Sequence, residues 1–272
     1  MNKNLFAEFL IIMLMLSSLL ISCNNNNDEK YEKQRDGWVL EWEENFDSSF
    51  DSTVWKKESR GKSGLGRSMD SNEGLFILKD GKLILRGMKN PLVKSATPFL
   101  TGGIYRNVIK KNEVARIEIK ASINAVSGGR PFIRLLPEDK ESGIAINIME
   151  QYDLDDFIYQ SVTTEYTTAK KMTDNPPSII MVGINPNRYH IYGIERYHDS
   201  LVFFVDGVRT RKYPRILTQI TGQFPFKDLD LNLHVGVGIN KDSDSIASPV
   251  DFFIDWVRYY TPAPSPDIQS KE

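Results

Sequence analysis

Residues 141–150, ESGIAINIME, set three chemically consequential positions in one short run: Ala145, Asn147 and Glu150. Isoleucines alternate through it at 144, 146 and 148, the period of a half-buried strand. That alternation puts Ala145 and Asn147 on one face and the isoleucines on the other. Glu150 is an odd number of positions from Ala145, so a regular strand would turn it away. A one-residue bulge near Ile148 and Met149 would return it to the face of Asn147, and bulges gather beside active sites. Two carboxyl groups roughly 5 Å apart carry out retaining hydrolysis of a glycosidic bond, one attacking and one protonating the leaving oxygen. Among these three positions only Glu150 carries a carboxyl: alanine cannot attack, and asparagine hydrogen-bonds without charge. The plain alternative is that the run is a buried strand and nothing more.

The elements that must position this run are expected to be strands. The chain has 272 residues, 40% hydrophobic and 11% aromatic, enough for one large β domain or two small ones. No stretch has sustained helical periodicity; short apolar runs separated by turn residues dominate. Asp80-Gly81 and Asp206-Gly207 sit between apolar runs and predict two-residue hairpin turns, whose central residues need positive φ. Further strands are expected at 38–42, 115–123, 132–136, 144–150, 189–195, 231–237 and 252–260. Residues 90–101 and 174–187 read as long loops. The pattern predicts an all-β sandwich of two antiparallel sheets.

Net charge is −2 with a pI near 6.0, which gives no support to a nucleic-acid partner. A single cysteine, Cys23, excludes an intrachain disulfide. It follows an apolar run, 9–21, that ends Leu20-Ile21-Ser22. This matches a bacterial lipoprotein signal in which Cys23 is lipidated and becomes the first mature residue; the run is too short for a comfortable membrane span. The expected organisation is therefore a signal peptide over 1–22, a polar tether over 23–36, one domain over 37–262 and a tail over 263–272. Localisation is expected to be extracytoplasmic, lipid-anchored to a bacterial membrane, the outer membrane in particular. His190, His198 and His234 lack metal-ligand spacing, so zinc is not expected. Gly61-Lys62-Ser63 lacks the earlier glycine of a phosphate loop, and Gly236-Val237-Gly238 opens no helix.

Several segments in order resemble glycoside hydrolase family 16. Trp38-Val39-Leu40-Glu41-Trp42-Glu43-Glu44-Asn45-Phe46 is similar to its opening strand, and Phe50-Asp51-Ser52-Thr53-Val54-Trp55 to its Leu-Asp-x-x-x-Trp. Residues 72–87 resemble its Asp-Gly hairpin, and Thr101-Gly102-Gly103-Ile104 and Arg116-Ile117-Glu118-Ile119-Lys120 its next strands. Tyr189-His190-Ile191-Tyr192 with Val205-Asp206-Gly207, and Asp255-Trp256-Val257-Arg258-Tyr259-Tyr260, resemble its later strands. The resemblance implies a concanavalin A-like β-jelly roll with a glycan cleft on its concave sheet. It also identifies Ala145, Asn147 and Glu150 with the family's Glu-x-Asp-x-x-Glu: nucleophile lost, assisting acid lost, acid/base kept. No cofactor is implied. A structural calcium, held in some relatives, would fall to Glu44 and Asp255.

A second departure precedes the strand. Where the family carries Trp-Pro-Ala-x-Trp-x-Leu-Pro, this chain reads Arg130-Pro131-Phe132-Ile133-Arg134-Leu135-Leu136-Pro137. Both tryptophans are arginines, and Arg196 also stands where an aromatic is usual. A guanidinium fork suits carboxylate or sulfate, so the cleft is expected to prefer acidic glycans, with Arg130, Arg134, Asn147 and Tyr152 contacting ligand; the alternative is that the arginines pair with internal acids or lie on the rim. Glu118 and Glu165 are the nearest acids that could replace the lost nucleophile, and Phe157, Tyr159 and Tyr166 could form a stacking platform; each has a structural alternative. The implied function is a surface lipoprotein that binds polysaccharide with an impaired hydrolase site, in bacterial glycan utilisation. The alternatives are an active glycoside hydrolase acting on a β-glucan or on a galactan, neutral or acidic, and a surface protein using the fold for protein contacts.

Overall fold

A computed structural model describes residues 35–47, 49, 51–61, 64–92, 94–240 and 249–264. Cys23, the signal and tether up to residue 34, and residues 265–272 of the tail lie outside the described residues. Two compact units divide the chain: Glu41–Thr261, and a smaller one of Met1–Leu40 with Pro262–Glu272. In the described part of the smaller unit, Trp38 N–H donates to Arg35 O (3.0 Å) and Ala263 N–H to Gly37 O (2.9 Å).

The described residues form two antiparallel sheets, of nine and seven strands. The nine-stranded sheet holds β1 (Trp38–Glu44), β3 (Phe76–Lys79), β4 (Lys82–Lys89), β5 (Phe99–Thr101), β7 (Ala115–Ile123), β12 (His190–Arg196), β13 (Ser200–Val205), β14 (Val208–Pro214) and β16 (Val250–Pro262). Its order is β14-β13-β12-β7-β16-β4-β3, with β1 on β16 and β5 on β4. The seven-stranded sheet holds β2 (Lys56–Lys57), β6 (Gly103–Ile109), β8 (Gly129–Pro137), β9 (Ala145–Glu150), β10 (Phe157–Thr163), β11 (Ile179–Gly183) and β15 (Leu231–Ile239). Its order is β11-β10-β9-β8-β15-β6-β2. The fold is the expected concanavalin A-like jelly-roll sandwich.

The core lies between the sheets and follows from alternation. Ile117, Ile119 and Ala121 of β7 and Leu231, Leu233, Val235 and Val237 of β15 are buried in it. Their alternate neighbours, Arg116, Glu118 and Lys120 on one sheet and Asn232, His234 and Gly236 on the other, therefore face away. Both Asp-Gly turns have two positive φ angles, 53° and 67° at Asp80-Gly81 and 52° and 76° at Asp206-Gly207, the geometry that closes a two-residue hairpin.

Both expected loops are corrected. Residues 90–101 are not all loop, because β5 occupies Phe99–Thr101 and pairs with β4, and neither are residues 174–187, because β11 occupies Ile179–Gly183 at the edge of the seven-stranded sheet. β10, which joins β11 to β9, also goes beyond the expected strands.

Candidate functional site

The bulge expected in β9 is present and decides the site. On β10, Tyr159 pairs with Glu150 and Ser161 with Asn147, so that one residue, Gln160, stands opposite two, Ile148 and Met149. On β8, Ile133 pairs with Met149 and Arg134 with Asn147. The extra residue lets both Ile148 and Met149 enter the core with Ile146. Glu150 thereby returns to the face of Asn147 and Ala145, away from the sandwich interior.

There Glu150 is held from several sides. Arg130 donates Nε (3.0 Å) and Nη2 (2.7 Å) to Oε1. Tyr152 OH (3.1 Å) and Asn147 Nδ2 (3.3 Å) donate to Oε2. Asn147 is fixed in turn by Ser161 Oγ at 2.8 Å. Arg130 also reaches Tyr152 OH at 2.6 Å and lies over its ring, 4.5 Å from the centroid. Burial first, and the Glu150 charge second, push the Tyr152 phenol up to about 12, so it stays a donor at neutral pH. Glu150 accepts from all of these groups, and none is a second carboxyl. Ala145 is half-buried on the same face.

Beyond Glu150 this face divides. Toward the β11 edge it is apolar: Tyr159 packs edge-on against Tyr152 (centroids 5.0 Å apart) and Phe157 (5.3 Å). Met181 is the register partner of Tyr159 and is exposed. On the other side it is charged. Arg134 pairs in register with His234 of β15. His234 is fully buried, engages Glu58 through Nδ1 and stacks on Tyr105, 5.2 Å between centroids. Lys140 Nζ completes this group, 2.9 Å from Glu58 Oε2 and 4.7 Å over Tyr105. Burial alone would raise Glu58, but the bonds and charges of His234 and Lys140 outweigh it and hold the carboxyl at about 2. Burial pushes His234 below the ordinary imidazole range despite Glu58. Two glycines floor this half: a side chain at Gly236 would strike Phe132, and one at Gly238 would strike Leu65. A cavity of about 370 Å³ lined by Leu65, Arg67, Arg130, Ile239 and Asn240 adjoins it.

The structure thus gathers Arg130, Arg134, Ala145, Asn147, Glu150 and Tyr152 on one face, with Phe157 and Tyr159 beside them. It separates others. Glu118 lies on the outer face of the nine-stranded sheet, and Glu165 begins a short helix, α1 (Glu165–Thr168), 3.7 Å from Lys170. Neither can stand in for a nucleophile beside Glu150. Tyr166 is buried and donates to Asn175 O at 3.2 Å, so it offers no platform. Arg196 belongs to β12, fully buried, donating to Phe226 O (2.7 Å) and Lys110 O. It satisfies two backbone carbonyls and does not line this face.

The calcium expectation does not fit the residues present. Glu44 accepts from Phe46 N–H (3.1 Å) and Trp55 Nε1 (3.2 Å). Asp255 faces two ammonium groups, Lys120 at 3.2 Å and Lys82 at 3.8 Å, which oppose a divalent cation. Among the described residues no group of three or more His, Cys, Asp or Glu is placed to hold a metal.

Glu58, His234, Lys140 and Tyr105 escaped the sequence reading. The signal for His234 was present: in the expected strand 231–237, core residues at 231, 233, 235 and 237 turn 234 outward. Its partner Glu58 lies 176 positions away, and nothing local links the two.

No family profile and no curated protein matches the sequence. Solved structures do match the fold. One, from work on endo-acting O-glycanases of the human gut microbiota that initiate mucin breakdown, is 22% identical, with a TM-score of 0.70, covering 83% of this chain and all of its own. A non-specific endo-β-1,3(4)-glucanase of glycoside hydrolase family 16 is 18% identical at 0.70, covering 84% of this chain and 93% of its own. The laminarinase of Rhodothermus marinus is also 18% identical at 0.70, covering 84% and 98%. At these identities the likeness is one of fold: the chain has the jelly roll on which these glycanases are built.

Proposed function

We propose that this chain binds polysaccharide on the free face of its seven-stranded sheet, with an inherited hydrolase site that is impaired. The observation that carries this reading is the environment of Glu150. Its oxygens accept from Arg130, Tyr152 and Asn147, and the position two residues before Asn147 is alanine. A retaining mechanism needs a second carboxyl roughly 5 Å away, and an inverting one roughly 6.5–9.5 Å away with room for water. The apolar strip of Phe157, Tyr159 and Met181 offers flat and adaptable surface to sugar rings. The glycan-directed enzymes that share the fold support a glycan as the ligand. The sequence before Cys23 supports secretion and lipid anchoring, which would hold the domain at a membrane surface as a capture protein.

Hydrolysis is the competing reading, favoured by one observation: Glu150, which the resemblance identifies with the family's acid/base, shares the outward face with Asn147. Product analysis by mass spectrometry separates the two. Purified protein is incubated with laminarin, mixed-linkage β-glucan, neutral and sulfated galactans, and mucin O-glycans, beside a Glu150→Gln control. Binding to the same glycans is followed by affinity electrophoresis. Retarded migration without new oligosaccharides is the expected result. Oligosaccharides produced by the wild type and missing from the control would establish a hydrolase.

A further inference from the structure

The charged half of the same face does not balance. Arg130 is matched by Glu150 and Lys140 by Glu58. Arg134 feels both carboxylates at a distance, yet among the described residues it has no ion pair or hydrogen bond. Its Nε is buried without a partner, and its guanidinium lies over the Phe132 ring, 4.3 Å from the centroid. With His234 neutral, three cations face two carboxylates, and the surplus charge sits on Arg134. Directly opposite, in cross-strand register, is His234, whose Nε2 is also buried without a partner. Side chains so paired stand about 5 Å apart at Cβ. An open guanidinium N–H and an unmatched cation in a partly buried setting are costly to the free protein, and an anion that pairs with Arg134 recovers that cost on binding.

We propose that Arg134 and His234 form an anion-recognition subsite that takes the sulfate ester or uronate carboxylate of a glycan. A guanidinium presents a planar fork of donors matched to such oxyanions. Arg130, named beside Arg134 from sequence, is not part of this subsite, because Glu150 already neutralises it. The groups facing His234 are Glu58 at Nδ1, Tyr105 stacked on the ring, Lys140 bonded to Glu58, and Arg134. While His234 is neutral, Glu58 takes its Nδ1–H and Nε2 is an acceptor. Protonation makes Nε2 a donor and adds a second positive charge beside Arg134, so anion affinity rises on acidification. Burial lowers the His234 pKa, so the rise falls below the ordinary imidazole range.

That the anion belongs to a glycan rests on the polysaccharide-binding reading; the anion site itself does not. The test therefore uses small probes on the full chain. The Nε–H resonance of Arg134 is followed by NMR during titration with inorganic sulfate, galactose 6-sulfate and glucuronate, with methyl galactoside as the neutral control. The expected result is a saturable shift with the anions and none with the neutral sugar. The apparent affinity for galactose 6-sulfate should tighten severalfold between pH 7.5 and pH 5. His234→Asn should keep binding and flatten that pH dependence, and Arg134→Met should abolish binding while leaving the fold intact. A difference between galactose 6-sulfate and glucuronate identifies the source of the oxyanion. Absence of a saturable shift, an equal response to methyl galactoside, or unchanged binding by Arg134→Met would overturn the proposal. Anion binding with no polysaccharide retained in affinity electrophoresis would remove the proposed function and leave this site standing. Polysaccharide binding without the anion response would do the reverse.

Discussion

Two ion clusters occupy the opposite outer faces of the sandwich, and they are built on different logics. On the nine-stranded sheet, Arg116 gives Nε (2.9 Å) and Nη2 (2.6 Å) to Glu118 Oε1 and Nη1 to Glu195 Oε1. Tyr260 OH (3.4 Å) and Tyr197 OH (2.9 Å) reach the remaining oxygens of Glu118 and Glu195. Burial first, then Glu195, push the Tyr197 phenol up to about 12, keeping it a donor. Every guanidinium nitrogen of Arg116 and every oxygen of these two carboxylates has a partner. On the seven-stranded sheet, Arg130–Glu150 and Lys140–Glu58 are matched, but Arg134 Nε and His234 Nε2 are not. A network that closes on itself needs nothing further, whereas the open guanidinium N–H of the second cluster is where we place the proposed anion. The difference separates structural from functional charge in a molecule where both are largely buried.

The sharpest way to break this contrast is to remove one member from each cluster. Glu118→Leu leaves Arg116 buried with a single carboxylate, and an uncompensated buried charge costs about 3–5 kcal/mol; the surviving Glu195 places the expectation near the lower end of that range. Arg134→Met removes a cation that has no partner to strand, so stability should stay within about 1 kcal/mol of wild type, in either direction. Urea denaturation measures both, with unchanged slope as the check that only stability moved. Equal losses in the two variants would show that the open cluster is structural after all.

Much of this arrangement was legible in the sequence, for physical reasons that also mark where legibility ends. β7 follows its expected bounds, 115–123, because a core face alternates cleanly with Arg116, Glu118 and Lys120. The β9 bulge was legible from parity: one carboxyl at an odd spacing on a strand that otherwise alternates. β11 was not, because Ile179-Ile180-Met181-Val182 is apolar on both faces and lies between turn residues, Pro176-Pro177 on one side and Asn185-Pro186-Asn187 on the other. Its outward residues, Ile179 and Met181, are 53% and 64% exposed, which no burial pattern predicts. The arginines at 130 and 134 were legible as unusual, but not their different fates. Only the folded chain shows that Arg130 bonds a carboxylate while Arg134 stands in register with an imidazole.

A smaller effect sharpens the account of the Glu58–His234 pair. Glu58 is held at about 2 in the folded state against 4.5 for the free side chain. Between those values the unfolded chain binds more protons, so stability rises with pH and is fully present above pH 4.5. It is lost as pH falls toward 2, and its full size is on the order of 3 kcal/mol. His234 acts in the same direction for a different reason. Its folded pKa is lowered, so below the free imidazole value the unfolded chain again takes up more protons. Acid should therefore destabilise the fold in two stages, the first beginning below about pH 6.5 and the second below pH 4.5. Glu58→Gln should remove the lower stage, read from urea midpoints at pH 3, 5 and 7. A variant whose midpoints track wild type across that range would show that Glu58 carries no such linkage.

The smallest expected effect isolates burial from geometry. Lys57 Nζ and Glu73 Oε1 are 2.6 Å apart, the same separation as Arg116 Nη2 and Glu118 Oε1. The Glu73 side chain is 88% exposed and that of Glu118 is 1% exposed. If distance set the energy, Glu73→Gln and Glu118→Leu would cost alike. Water screens the first pair, and ordering two long side chains consumes most of the remainder, so exposed pairs contribute about 0–1 kcal/mol. Lys57 also lies over the Phe76 ring, 4.5 Å from its centroid, a contact that survives loss of the carboxylate. Glu73→Gln should accordingly lower stability by less than about 0.5 kcal/mol, and the loss should vanish in 0.5 M salt, where screening is short-ranged. A salt-insensitive loss above 1 kcal/mol would mean that close contact alone decides the energy, and the distinction between the closed and open clusters would lose its basis.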